Sequence, residues 1–399
     1  MSQQAFPVRP INKELEMVAE PYRSLWETED ARIFRESVRR FINDEFVPQQ
    51  PKWRAQHYPD RSAWLAAGKA GLLLPSVPVA YGGGGGGFAH ECVVTEELAR
   101  AGVPFGAGVQ SIVAHYILAY GTEEQKLRWL PPMARGECVA AIAMTEPAAG
   151  SDLAAIRASA VFDGDRYVIN GSKTFITNGW LADLVCIAVK TNPAVAAMRA
   201  ISMIVVETRG LPGFRAGQPL EKIGMQGRDA CELFFQDVAV PAGNLLGAQA
   251  GRGFSQMMQQ LPFERLSVAV SGVATAEAAV ALTIRHAKDR ILFGKPLFDL
   301  QDARFKLAEC ATDARVARIF VDDCIVRYIA GDRNDVTAAM AKYWLTECQF
   351  RILDKCLQLH GGYGYMTEYL IARMWADGRA QSIYAGANEV MKESISWSL

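Results

Sequence analysis

The hydrophobic period switches twice along the 399 residues, and that double switch restricts the fold more than any other feature. From about Trp26 to Arg135, apolar residues recur at three- and four-residue spacing, as in RIFRESVRRFINDEF and HECVVTEELARAG. Near Val139 short β-prone runs take over, divided by turn residues: ECVAAIAMTEP, DRYVINGSKTFITNG, ADLVCIAVK, AISMIVVETRG and ACELFFQDVAVP. After Gly251 the helical period returns, predicting long helices near 252–291, 301–330 and 334–360. Thr122 followed by Gln125 is a capping-box start for one more helix. The expectation is an α+β chain of three parts: a helical domain over 1–136, a compact antiparallel β domain over 137–242, and a helical domain over 243–399.

Composition narrows the ligand class. Lys+Arg 42 against Asp+Glu 43 leaves a net charge of −1, so no basic or acidic field points to nucleic acid or an anionic membrane, and a small ligand is expected. The most apolar stretch, Leu266 to Ile284, is interrupted by Ser, Thr, Gly and Glu277, so no membrane span is expected. The first twenty residues carry Glu14, Glu16 and Glu20 and no apolar core, which reads as a cytoplasmic protein without a leader. Eight cysteines lie scattered without CxxC or Cys/His grouping, so buried free thiols are expected, with no metal.

Several segments could carry chemistry. Gly82 to Gly87 formally contain GxGxxG, but the preceding LLLPSVPVAY holds two prolines and is no βαβ strand, so a flexible surface loop is expected. In AIAMTEPAAGSD, Thr145, Gly150 and Ser151 could offer amides and hydroxyls to a polar ligand edge, or form an ordinary turn capped by Asp152. In KTFITNG, alternation places Phe175 and Thr177 on one strand face, suited to a planar ring or to a core. Arg290 precedes a Phe-Gly-Lys-Pro break, with Gln301 opening the next helix; its planar fork suits a pyrophosphate or simply a solvated helix end. Gln358 and His360 lead into Gly361, Gly362 and Gly364, where backbone can approach a ligand. Lastly IYAGANEV, 383–390, has almost no side chain between Ala385 and Asn388.

In order and spacing, MTEPAAGSD, KTFITNG, RILFGKPL with Gln301, QLHGGYGYMTEY and IYAGANEV resemble the acyl-CoA dehydrogenase flavoproteins, from about Thr28 to the C-terminus. The resemblance implies a middle β-barrel or sandwich domain between an N-terminal helical domain and a C-terminal four-helix bundle. It implies FAD lined by Ile142, Met144, Thr145, Gly150 and Ser151, flanked by Phe175, Ile176 and Thr177, and reached by Ala387, Asn388 and Glu389. A neighbouring subunit of a homotetramer would bring Arg290, Phe293, Gln301, Gln358, Leu359, Gly361 and Gly362 to its adenosine and pyrophosphate. The implied reaction is α,β-dehydrogenation of an acyl-CoA thioester to the 2-enoyl-CoA, in fatty acid or branched-chain acyl-CoA degradation. Electrons would pass to an electron-transfer flavoprotein.

The chain departs from the commonest family pattern. Ala385 stands where that pattern places the catalytic Glu, and Ala387 where Thr is usual beside the FAD. In the long-chain and isovaleryl-CoA dehydrogenase subset the Glu occupies the position matching Glu264, which makes Glu264 the expected base. Read locally, Pro262 followed by an acidic residue is also an ordinary dipole-favoured helix start. Ser151, Pro262, Phe263, Arg265, Ala385 and Gly386 would contact the substrate. Glu232 and the lone histidines His90, His115 and His286 read as structural. An oxygen-using flavin monooxygenase or oxidase on the same fold is the alternative, weakened by retention of Glu264 and Arg265; a non-catalytic flavin or acyl-CoA binder is a third.

Overall fold

The computed structural model describes residues 22–399 apart from Pro193 and Ala248. Residues 1–21, on which the expectation of a leaderless cytoplasmic chain rests, lie outside it. Six helices come first: α1 (Glu29–Phe41), α2 (Gln50–Gln56), α3 (Arg61–Lys69), α4 (Phe88–Ala101), α5 (Ala107–Tyr120) and α6 (Glu123–Ala134). The Thr122 and Gln125 capping box is formed, each side chain meeting the other's backbone N–H at 3.2 and 2.9 Å.

A curled sheet follows, with strands β1 (Ala140–Ala143), β2 (Ser159–Phe162), β3 (Arg166–Thr177), β4 (Leu184–Lys190), β5 (Ile201–Glu207), β6 (Phe214–Ala216) and β7 (Ala230–Pro241); a short α7 (Ala197–Ala200) precedes β5. The order is β1-β4-β2-β3-β7-β6, with β5 paired to β4. The sheet is mixed rather than antiparallel, because β1 runs parallel to β4 with Ala140 opposite Leu184. Three-residue β6 and four-residue β2 escaped the hydrophobic pattern, β2 because Val161 and Phe162 face outward. The C-terminal part comprises α8 (Gly253–Asp289), a hairpin of β8 (Ile291–Leu292) and β9 (Lys295–Pro296), then α9 (Gln301–Ile329), α10 (Asp335–Leu359), α11 (Leu370–Gly378) and α12 (Asn388–Ser396).

Helix α8 is the axis of the molecule. By length and composition it could cross a bilayer, but two thirds of its most apolar stretch (67%) is buried inside the protein. Its Glu277 sits in an ion-pair network rather than in lipid: Arg318 of α9 reaches it at 2.8 Å and Arg100 of α4 at 2.7 Å. The same network takes in Arg35 of α1, 2.8 Å from both Glu96 and Glu97 of α4. Buried charges persist only when so paired, and this pairing fastens the N-terminal helices to the C-terminal ones.

The hexaglycine segment is packed, not a flexible loop. Its amides at Gly84, Gly85 and Gly86 donate to the carbonyls of Leu74, Val77 and Pro75 at 3.1, 2.9 and 2.9 Å. A Cβ at Gly83 would lie 2.2 Å from the Val77 carbonyl oxygen, whereas one at Gly87 would meet nothing within 4 Å. Gly83→Ala is therefore expected to lower stability by about 1–3 kcal/mol in thermal unfolding, and Gly87→Ser to leave it within about 0.5 kcal/mol.

Candidate active site

Glu264 sits in the interior of α8, eleven residues past Gly253, so a helix-start role is excluded; Pro262 is an internal proline that removes one helical hydrogen bond. Its residue is 8% exposed. The Tyr116 hydroxyl on α5 donates to Oε1 at 3.2 Å, and Oε2 has no hydrogen-bond partner among the described residues. Burial raises the carboxyl to about 7, against the pull of the Tyr116 hydrogen bond and of Arg265. The charge is felt by its neighbours: burial, with Glu264 next, pushes the Cys186 thiol on β4 up to about 12 and the Tyr116 hydroxyl well above its ordinary value. A carboxylate poised near neutrality with one oxygen free is the arrangement a general base needs.

The IYAGANEV stretch is the loop into α12, and two consecutive residues, Ala385 and Gly386, hold left-handed backbone at φ 54° and 85°. A buried lysine holds it there. Lys342 of α10 donates to the Gly386 carbonyl at 2.7 Å and to Asn388 Oδ1 at 2.9 Å, while Asn388 Nδ2 reaches Thr346 Oγ1 at 3.1 Å. Burial, with Arg265 as a second cause, lowers Lys342 to about 8. Arg265 pairs with Asp335 at the start of α10. This chain of contacts joins the residue after Glu264 to the Ala385 loop, whose Ala385 N–H donates to no described residue.

A second assembly unites two of the sequence segments. Lys173 on β3 donates to the Met144 carbonyl at 2.9 Å and to Glu146 at 2.8 Å, and the Thr174 amide donates to the Thr145 carbonyl at 3.0 Å. Between Lys173 and Ile176 the β3–β7 register slips at a bulge, and Phe175 there has φ 59° and stands 69% exposed. A bulky side chain held in strained backbone and turned out of the core is not a core residue and is open to a ligand. Thr177 also stays outside the core while Ile176 is buried. Ile142, Met144 and Thr145 are half-buried, and Gly150 and Ser151 are exposed, with nothing within 4 Å of a Cβ at Gly150.

A third assembly gathers the remaining segments. The Phe-Gly-Lys-Pro break is a tight hairpin whose tip residues Phe293 and Gly294 have φ 52° and 79°, leaving Phe293 92% exposed. Arg290 lies over the Tyr363 ring at 5.8 Å, and His286 stacks on His360 at 4.1 Å. Leu359 packs beside Leu297 and Leu307, Gln301 and Gln358 are exposed, and added Cβ atoms at Gly361 and Gly362 would meet nothing. Among the described residues, no hydrogen bond, ion pair or ring contact joins this assembly to the one around Phe175.

Comparison with known proteins decides what these assemblies belong to. The chain matches the N-terminal, middle and C-terminal domains of acyl-CoA dehydrogenase over residues 28–137, 141–238 and 251–399. It belongs to the acyl-CoA dehydrogenase family. It is 44% identical to the mitochondrial long-chain specific acyl-CoA dehydrogenase of Sus scrofa over 91% of this chain and 85% of that one. The crystal structure of an acyl-CoA dehydrogenase from Geobacillus kaustophilus superposes with a TM-score of 0.92 at 46% identity, covering 94% of this chain and 99% of that one. A glutaryl-CoA dehydrogenase from Mycobacterium smegmatis, solved in complex with FADH2, gives 0.87 at 26% identity, covering 94% and 95%. As a member of this family of FAD-dependent oxidoreductases, the chain is an enzyme whose cofactor is FAD.

Four of the five segments, far apart in the chain, pair in space, MTEPAAGSD with KTFITNG and RILFGKPL with QLHGGYGYMTEY. The exposed Phe175 and the open ground at Gly150, Gly361 and Gly362 fit a flavin dinucleotide. The remaining residues take the following positions. Arg265 is buried on Asp335, Asn388 is turned inward onto Lys342, and Glu389 is exposed. His90, His115 and His286 have partners, in Asp30, Ser76 and His360. Tyr116, Glu146, Lys173 and Lys342 were missed; a single lysine in the apolar run AAMAKYWL was the one visible signal.

Because folding raises the Glu264 pKa from 4.5 to about 7, the contribution it makes is fully present below about 4.5 and is lost as pH climbs through 7. Glu264→Gln is accordingly expected to gain on the parent holoenzyme by about 3 kcal/mol between pH 4.5 and pH 8 in denaturant unfolding. Parallel curves would show that the carboxylate is not desolvated.

Proposed function

We propose that the chain oxidises an acyl-CoA thioester to the 2-enoyl-CoA, with Glu264 taking the α-proton. The observation that carries this reading is the Glu264 carboxylate itself, buried, raised to about 7, and with Oε2 free of any described partner. Desolvation keeps it weak enough to hold a proton and ionised enough at neutral pH to remove one. As negative charge grows on the thioester oxygen, the Ala385 N–H, which has no described partner, would receive it, a contribution of order 3 kcal/mol for one well-aimed donor. Loss of the acid at residue 385 thus leaves the backbone donor in place and moves the base to α8.

FAD supplies the acceptor for the β-hydrogen. Phe175, Ile176, Thr177 and the 142–151 segment would hold its ring, with the Phe175 face exposed for it. Arg290, Phe293, Gln301 and the 358–362 segment would serve the dinucleotide of a neighbouring subunit. That sharing is supported by the absence of described contacts between the two assemblies and by the outward Phe293 hairpin. The reading therefore includes a homo-oligomer, a tetramer by family resemblance, an electron-transfer flavoprotein as acceptor, and a cytoplasmic location.

Anaerobic bleaching of the bound flavin by straight and branched acyl-CoAs tests the proposal. The parent is expected to bleach with at least one thioester class, and Glu264→Gln to bleach about 10²–10⁴-fold more slowly. Equal rates in parent and variant would remove Glu264 as base, and rapid reoxidation of the reduced flavin by oxygen would favour the oxidase alternative.

A further inference from the structure

The last side-chain torsion of a glutamate, which turns the planar carboxyl group, is broad and weakly restrained by sterics. Burial by itself therefore dries a carboxylate without aiming it. At Glu264 the adjacent cation does not aim it either, because Arg265 is paired with Asp335 of α10. The one described contact that fixes the plane is the Tyr116 hydroxyl, which donates to Oε1 at 3.2 Å and leaves Oε2 without a described partner.

Tyr116 is itself firmly held. It is fully buried on α5, and its ring meets that of Tyr120, one turn further on, edge to face at 6.2 Å. Tyr120 in turn holds the part of α8 that precedes the carboxylate. Its hydroxyl lies 3.2 Å from the Gln256 carbonyl and 2.9 Å from Gln259 Oε1, and Gln260 Nε2 donates to it at 3.3 Å. Between these contacts and Glu264 stands Pro262, whose missing N–H interrupts the helical hydrogen bonds of α8. Two tyrosines on successive turns of α5 thus span the interruption, Tyr120 before it and Tyr116 after it.

The other titratable groups nearby leave this contact alone. Burial raises Tyr116 and Tyr120 of α5 and pushes Cys186 of β4 up to about 12, so all three stay neutral beside the carboxylate. His115, the residue before Tyr116, faces Ser76 and Glu91. A hydroxyl donating to a carboxylate stabilises its charged form, so Tyr116 opposes the lift that burial gives Glu264.

We infer that Tyr116 is a positioning residue for proton removal: by holding Oε1 it turns the carboxylate so that Oε2 is the atom that takes the α-proton. This rests on the dehydrogenase reading and adds to it the group through which the base is aimed. In the step the α-carbon–hydrogen bond breaks and an O–H bond forms at Oε2, while the electron pair passes into the thioester enolate. Tyr116 keeps its own proton throughout, since Oε1 of the neutral acid still accepts from it.

The test is anaerobic bleaching of the bound flavin by octanoyl-, palmitoyl- and isovaleryl-CoA, followed from about pH 6 to pH 9. It compares the parent holoenzyme with Tyr116→Phe, Glu264→Gln and the double variant. With the thioester that bleaches the parent fastest, Tyr116→Phe is expected to be about tenfold slower at neutral pH, with its pH midpoint about one unit higher. The thioester concentration for half-maximal rate and the bound flavin should match the parent, because the ring that fills the site remains. As Tyr116 acts through Glu264, adding Tyr116→Phe to Glu264→Gln is expected to cause no further loss. An unshifted midpoint, or losses that multiply in the double variant, overturns this inference alone. Bleaching of the parent by no thioester defeats the dehydrogenase reading beneath it.

Discussion

Removing the Glu264 carboxylate from water is the constraint around which the structure is arranged. Holding its pKa at about 7 rather than 4.5 requires side chains from α5, α8 and β4 to close over it, with one hydroxyl, that of Tyr116, in contact. Such a site forms only where three parts of the chain meet, and helix α8 makes that meeting possible. It carries the carboxylate near one end, an ion-paired glutamate in its middle and His286 near the other. Dryness at Glu264 is thus a property of the whole assembly rather than of the residues beside it.

Two buried lysines set the loops on either side. Lys173 ties the Met144–Glu146 turn to β3 and so positions the bulge that turns Phe175 outward. Lys342 ties Gly386 and Asn388 to α10 and so fixes the backbone that follows Ala385. Each ammonium is lowered to about 8 chiefly by burial, and its positional effect comes from short contacts to carbonyls and neighbouring side chains. Lysine reaches such carbonyls on a long stem that also fills apolar space, which a shorter polar side chain would leave open.

Much of this was legible in the residue order. Long periodic helices announced themselves within a residue or two at 253–289, 301–329 and 335–359, because their buried faces repeat over many turns. Glu264 was visible only through family resemblance, since Pro262 before it reads locally as a helix start; α8 begins earlier because the preceding residues still bury Met257 and Gln256. The parallel β1–β4 pairing was not legible, as it joins segments some forty residues apart and alternation says nothing of direction. Nor was the packing of the hexaglycine, whose partners are carbonyls of Leu74, Pro75 and Val77 rather than side chains. Asn388 was named as a cofactor contact through the family resemblance; its inward turn onto Lys342, more than forty positions away, was not legible.

The most direct measurement of the central claim isolates proton removal from oxidation. A bound acyl-CoA whose β-carbon bears no hydrogen cannot be dehydrogenated, so exchange of its α-hydrogens into D₂O, followed by NMR, reports the base alone. The account predicts exchange by the parent holoenzyme that rises with pH through a midpoint near 7 and falls by about 10²–10⁴-fold in Glu264→Gln. Exchange at the parent's rate in that variant, or a midpoint near the ordinary carboxylate value of 4.5, would contradict it.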